Sequence, residues 1–201
     1  MLKIDRVEVF GVAMPLIGTF TSGGVSKSTT KCVVVRITAS DGSVGISSID
    51  PSSTAKSPHT APELLAALKD TVAPALVNEN PTNIHRVIAM ATELAPTQPG
   101  VAAAVELACI ELHCQRVGIA MHEYLGGAVT DSVRFNGWIG ELPPDEAAGE
   151  AKRWLDAGFK SAKIKVGSGV RQDAERIEAV RSVVGNQMQL RMDANRSEEH
   201  T

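Results

Sequence analysis

Lys163 and Lys165 lie one residue apart in Ser161-Ala162-Lys163-Ile164-Lys165-Val166-Gly167, and one αβ unit later comes Met192-Asp193-Ala194-Asn195. On a strand, side chains alternate faces with period two, so both lysines point one way and Ile164 the other. Asp193 and Asn195 repeat that geometry on the next predicted strand. Two amines and a carboxylate are thereby placed on neighbouring strands around one pocket. A cation near Asp193 with amine bases beside it is a route to removing a poorly acidic proton next to a carboxylate. Each feature alone is ordinary: lysines often end strands as solvated charges, and an aspartate often closes a turn or caps a helix. Their position near the C-terminal ends of parallel strands, where barrel active sites gather, raises them above that background.

The elements that must hold these residues follow a β-α-β-α-β alternation after Leu125-Gly126-Gly127. Val133–Ile139 reads as a strand and Pro144–Ala157 as a helix with Ala147, Ala151, Trp154 and Leu155 inward, closed by Gly158. Ala162–Val166 is a strand. Val170–Val184 is a helix with Val170, Ala174, Ile177, Val180 and Val184 on one face, and Gln189–Asn195 a further strand. Arg191 shares the parity of Asp193 and is expected as a buried ion-pair partner. The period of about 28 residues approaches the roughly 30 of a βα unit in an eightfold barrel. No glycine-rich phosphate loop follows any of these strands, which disfavours a nucleotide-binding open sheet.

The first half reads as strands, then helices, an α+β unit. Ile4–Ala13 and Cys32–Ile37 are strands, Ser40-Asp41-Gly42-Ser43 a hairpin turn, and Val44–Ile49 the returning strand. Between the first two strands, the Gly-, Ser- and Thr-rich segment Gly18–Thr30 is expected as a mobile loop. Thr60-Ala61-Pro62-Glu63 fits a capping box, Asn80-Pro81 a second helix start, and Val101–Gln115 a third helix ending near Gly118.

Composition narrows the function classes. The chain has 201 residues, a net charge of −3, 43% hydrophobic and 3% aromatic residues. With no Lys/Arg cluster or aromatic stripe, a nucleic-acid partner is not expected. Cys32, Cys109 and Cys114 have neither disulfide nor zinc spacing and read as buried small residues in a reducing compartment. The start Met1-Leu2-Lys3-Ile4 has no apolar signal core, and no apolar run nears the ~18 residues of a membrane span. The expectation is a cytoplasmic protein without a membrane partner.

These residues resemble the mandelate racemase/muconate lactonizing enzyme family of the enolase superfamily. The likeness rests on the N-terminal α+β region with its glycine-rich first loop, on Val105–Leu112 followed by Gly118 and Leu125-Gly126-Gly127, on Lys163-Ile164-Lys165, and on Asp193-Ala194-Asn195. It covers residues 1 to about 195. The resemblance implies an α+β capping domain over residues 1–127, followed over 128–201 by the first three βα-type strands of a truncated (β/α) TIM-like barrel. It also implies a role for each matching residue. Lys165 is the general base or acid for the α-proton of a small-molecule carboxylate substrate, leading to an enediolate. Lys163 sits beside it, where like charge disfavours protonation of both amines. Asp193 is the first of three carboxylate ligands to Mg²⁺, the cofactor. Asn195, with Thr19, Thr21 and Ser22 of the first loop, contacts substrate. The intact parent would be a racemase, epimerase, dehydratase or cycloisomerase and a homo-oligomer.

The family's other metal ligands and distal acid/base do not occur in this chain, so the 201-residue piece is expected to be inactive, to bind Mg²⁺ weakly and to aggregate through an open parallel edge. Residues 196–201, Arg-Ser-Glu-Glu-His-Thr, are read as a non-native tail, because one frame of a common sequencing adapter (AGATCGGAAGAGCACACG) encodes them. The alternative is a naturally truncated, non-catalytic protein that packs on a full-length homologue.

Overall fold

Strand-forming runs dominate the first fifty residues and gather into one antiparallel sheet. The computed structural model describes residues 1–22, 25–51 and 59–194, without the side chains of residues 18, 19, 21, 22 and 25. Strands β1 (Ile4–Ser22), β2 (Val25–Ala39) and β3 (Val44–Ile49) pair in the order β1-β2-β3. Val35 lies opposite Ser47 and Ile37 opposite Gly45. Val33, Val35 and Ile37 are fully buried at alternate positions, the signature of a sheet covered on one face. At the β2–β3 turn Gly42 has φ 85°, and the Ala39 N–H donates to the Ser43 carbonyl at 2.9 Å. The segment expected as a mobile loop differs: strand backbone runs on to Ser22 and resumes at Val25. Its β-branched Thr19, Thr21, Val25, Thr29 and Thr30 favour extended backbone, which outweighs the glycine signal.

Helix α1 (Ala61–Ala66) starts on the expected capping box, with the Thr60 N–H donating to Glu63 Oε2 at 2.7 Å. A π turn, Ala67–Val72, joins it to α2 (Ala73–Leu76). There the Ala73 N–H reaches back to the Leu68 carbonyl, and Pro74 has no N–H to restore the α pattern. Helix α3 (Ile84–Leu94) begins later than Asn80-Pro81 suggests. The Asn80 side chain accepts from the Thr82 N–H at 3.0 Å and closes a turn, leaving Asn83 to cap the helix by accepting from Arg86. Helix α4 (Pro99–Val117) ends at Gly118, whose φ of 73° suits glycine, and α5 (Met121–Tyr124) follows.

Two compact units result: Met1–Leu16 with Thr29–Val129, and Ile17–Ser28 with Thr130–Thr201. In the first, Leu64, Leu68, Val87, Val105, Ala108 and Leu112 join Val33, Val35 and Ile37 in one core. Helix α4 lies so close on β3 that a Cβ at Gly45 would sit 1.9 Å from the Ala108 carbonyl oxygen. The same helix satisfies the strand's outer edge. The Ile46 N–H donates to Glu111 Oε2, and the Ser47 hydroxyl donates to the Ala104 carbonyl at 2.6 Å. All three cysteines are buried with free thiols, and burial pushes the Cys109 thiol up to about 12.

In the second unit β4 (Gly137–Ile139), α6 (Pro144–Asp156), β5 (Ser161–Lys165), α7 (Val170–Val184) and β6 (Gln189–Asp193) alternate, and the strands are parallel in the order β4-β5-β6. This is the pattern of a partial (β/α) barrel. Ile139, Ala147, Ala151, Ala162, Ile164, Val180, Val184 and Met188 form its core. Three sequence expectations need correction here. β4 is short, because its pairing with β5 begins only at Gly137 opposite Ala162, and Val133 and Phe135 stay exposed. Val170 is 91% exposed, because α7 turns Asp173 and Arg176 toward the strand ends instead. Arg191 is exposed, not buried: among the described residues β6 is an edge strand with nothing beyond it. No helix among the described residues is long and apolar enough to cross a membrane.

Candidate active site at the ends of β5 and β6

Parallel register aligns the polar residues of the second unit. Lys165 pairs with Asp193, Lys163 with Arg191, and Trp138 of β4 with Lys163. Paired residues share a face, so Trp138, Lys163, Lys165 and Asp193 look to one side of the sheet, while Ile139 and Ile164 enter the core on the other. The two lysines converge as their spacing predicts. Lys163 Nζ lies 3.0 Å and Lys165 Nζ 2.8 Å from the same oxygen, Asp193 Oδ2. The two are not equivalent: Lys165 is only 5% exposed, whereas Lys163 and Asp193 keep partial contact with solvent. An amine that is both buried and carboxylate-bound is held in one geometry, which a proton-transfer group requires.

Of the residues expected to contact substrate, Thr19, Thr21 and Ser22 have strand backbone in β1, but their side chains lie outside the described residues, as does Asn195 altogether. The neighbour that the structure does place at the site is Phe20. Its ring stacks on Trp138, centroids 4.7 Å apart and planes 15° from parallel, and Lys27 Nζ stands 5.6 Å from the Phe20 centroid. Trp138 is itself fixed from behind. Trp154 of α6 donates its indole N–H to the Trp138 carbonyl at 2.8 Å and lies against Gly137, where a Cβ would come within 2.6 Å of its ring. In a chain so poor in aromatic residues, Trp138 at the parity of Lys163 was the available signal for this wall. Phe20 gave none, because its strand read as a loop.

A hydrogen-bonded cluster supports the end of β5 from the helix side. Arg176 is 4% exposed. Its guanidinium donates to the Leu142 carbonyl (2.6 Å), the Lys165 carbonyl (3.2 Å), Asp173 Oδ1 (2.6 Å) and Ser168 Oγ (3.3 Å). Asp173 in turn accepts from the Gly167 N–H at 2.8 Å and the Ser168 N–H at 3.4 Å. Burial pushes the Asp173 carboxyl up, but the bonds from Gly167, Arg176 and Ser168 outweigh it and hold the group below the usual carboxylate range.

Asp193 offers the hard oxygen donors that Mg²⁺ takes. The donor type fits and the number does not: among the described residues no three His, Cys, Asp or Glu side chains converge, and Asp193 Oδ2 already accepts from two amines. The described residues therefore offer a single carboxylate here and do not form a metal site.

Comparison with known proteins agrees with this fold. The model of the mandelate racemase / muconate lactonizing enzyme N-terminal domain matches residues 6–126, and that of the enolase C-terminal domain-like family matches residues 146–200. An N-succinyl-L-Arg/Lys racemase of Bacillus cereus is 28% identical over 96% of this chain and 52% of its own length. A cis-3-hydroxy-L-proline dehydratase of Roseibium aggregatum is 29% identical over 96% of this chain and 53% of its own. The crystal structure of a dipeptide epimerase from Enterococcus faecalis, complexed with Mg and the dipeptide L-Leu-L-Tyr, superposes with a TM-score of 0.89 at 28% identity, covering 96% of this chain and 54% of that one. The chain spans about half the length of the curated relatives it matches.

Proposed function

Because the chain belongs to the mandelate racemase/muconate lactonizing enzyme family of the enolase superfamily, we propose that it is part of an enzyme that removes the proton α to the carboxylate of a small, amino-acid-derived substrate. The observation that carries this reading is the convergence of Lys163 and Lys165 on Asp193 Oδ2 across β5 and β6. Lys165 takes or returns the α-proton at Nζ, since it is the more enclosed amine and its backbone is held on both sides of the strand. Lys163 sits beside it on the same oxygen and adds positive charge where the substrate carboxylate would lie. Trp138 and Phe20 form the apolar wall next to Lys163 against which the rest of the substrate would rest. Thr19, Thr21, Ser22 and Asn195 keep their assignment as substrate contacts.

Mg²⁺ is the cofactor we assign to the whole enzyme, with Asp193 as its ligand from this chain. When bound, the ion would offset negative charge on the substrate's carboxylate oxygens. Racemisation or epimerisation is the favoured outcome, supported by relatives named as a racemase and an epimerase; dehydration is second, supported by the hydroxyproline dehydratase.

The test is α-proton exchange. The whole protein encoded by the source DNA, read onward past Asn195, is incubated in D₂O with Mg²⁺ and a panel of N-succinyl amino acids and dipeptides, and loss of the α-¹H signal is followed by NMR. Exchange in the native protein, and at least about 100-fold less with Lys165→Met, is expected for a general acid/base. Equal exchange by Lys165→Met would remove the assignment of Lys165. No exchange across the panel, with barrel sequence present beyond Asn195, would remove the substrate class.

A further inference from the structure

Both polar groups of the peptide unit between Lys165 and Val166 are fixed from opposite sides. Its carbonyl, that of Lys165, accepts from Arg176 Nη1 at 3.2 Å, and its N–H, that of Val166, donates to the Asp193 carbonyl at 3.1 Å. Displacement of this unit would move the Lys165 Cα, and the side chain with it. The guanidinium that holds it also grips the Leu142 carbonyl after β4, so one buried side chain joins the ends of β4 and β5. Asp173, one helical turn earlier on α7, orients that guanidinium and at the same time accepts from the N–H groups of Gly167 and Ser168. Gly167 and Gly169, with φ of 130° and 118°, let the chain turn tightly enough to present those N–H groups.

We propose that Arg176 is a positioning residue for Lys165, acting through the Lys165 carbonyl, with Asp173 as its orienting partner. It touches no reacting atom. Its effect is to set the direction from which the Lys165 amine meets Asp193 and, by the assignment above, the substrate. The inference rests on that assignment only for its catalytic meaning, since the placement of Lys165 is measurable without turnover. A planar, multiply donating guanidinium suits the role, because it reaches two carbonyls and a carboxylate at once, which a lysine amine on a flexible stem does not.

The experiment is competitive amine labelling of the 201-residue chain. A brief pulse of acetylating reagent in metal-free buffer is followed by fragment-ion mass spectrometry, and modification of Lys165 is read as a ratio to Lys163 in the same molecule. Thermal unfolding is recorded in parallel. The Lys165 to Lys163 ratio is expected to rise about tenfold in Arg176→Met, which corresponds to about 1.4 kcal/mol, the lower end of what a hydrogen bond to a charged group contributes. Arg176→Lys should raise it too, while Asp173→Asn, which leaves both carbonyl bonds of Arg176 available, should raise it less. An unchanged ratio in a folded Arg176→Met chain, whatever its melting temperature, makes Arg176 a purely structural ion-pair member and overturns the proposal. An Asp173→Asn effect as large as that of Arg176→Met overturns it as well, by locating the cause in the Gly167–Ser168 turn. If Arg176→Met does not fold, the ratio in Arg176→Lys decides in the same way, and failure of both to fold overturns the proposal. Loss of α-proton exchange in the whole enzyme with an unchanged ratio would count against this inference and leave Lys165 as the acid/base.

Discussion

Replacing Lys165 by methionine separates a catalytic lysine from a structural one, because the two readings predict opposite costs. Lys165 is almost fully buried, and methionine is close to it in volume and fills irregular apolar space well. The substitution does not orphan a buried charge, since Asp193 Oδ2 keeps Lys163 at 3.0 Å and remains partly exposed to water. The lost ion pair is offset by the desolvation that a buried ammonium no longer requires, so the net change is expected within about 1 kcal/mol of zero and can be stabilising. Asp193→Ala is different: it leaves a buried ammonium without its carboxylate. Full burial would put that cost near 3–5 kcal/mol, and the partial exposure of Asp193 reduces the expectation to about 1–3 kcal/mol. Urea unfolding followed by tryptophan fluorescence measures this locally, because the chain's two tryptophans, Trp138 and Trp154, both lie in the second compact unit. A loss above about 2 kcal/mol in Lys165→Met, the scale of a broken buried pair, would show that the lysine holds the fold together and would refute the argument that it is placed there at no gain in stability.

The first unit offers two further tests. Gly45→Ala would put a methyl group 1.9 Å from the Ala108 carbonyl oxygen and 2.7 Å from the Leu112 nitrogen, so β3 must leave α4 and give up the bond from Ser47. A loss of about 3 kcal/mol or more in urea unfolding by circular dichroism is expected, and an unchanged midpoint would contradict the contact. Asp41 accepts from the Ser43 hydroxyl, from Arg116 and from the Ser43 N–H, and these lower its carboxyl from 3.8 to about 2. Its contribution to stability is therefore complete above about pH 4 and is lost as the pH falls toward 2. The melting-temperature difference between the native chain and Asp41→Asn should shrink over that interval, and a constant difference would mean the carboxylate is not what Ser43 and Arg116 recognise.

What the sequence disclosed depended on whether a signal was periodic. Lys163, Lys165 and Asp193 could be placed together because strand parity and the βα repeat are both regular, and the capping box at Thr60 is a fixed local pattern. Where tertiary pairing decides, the reading failed. The ends of β1 and β2 that face residues 23 and 24 in sequence looked like a loop, because glycine and serine mask β-branched residues that extend in a strand. β4 looked long because apolar residues precede Gly137, yet among the described residues nothing pairs with them. Helix α3 was placed early because Asn80 and Asn83 both have capping chemistry and only the fold chooses between them. Arg191 was expected inside on parity alone, and parity gives a face, not the depth to which that face is covered. Arg176 had no periodic signature, although Asp173 and Arg176 at i, i+3 behind a Gly-Ser-Gly turn were visible as a pair.

The tether on the Lys165–Val166 peptide has a consequence for how substrates would be received. The entropy of fixing that stretch of chain is lost when the protein folds, and little remains to be lost when a ligand arrives. On the proposed function, an amine fixed in this way would favour molecules that bring their α-carbon to it in one pose and would not reach after those that miss by an ångström. Breadth of substrate range would then have to come from the walls around the amine, where side chains can change without disturbing the end of the strand. The Val166 amide, which donates to the Asp193 carbonyl, should accordingly exchange its hydrogen with solvent more slowly in the native chain than in Arg176→Met.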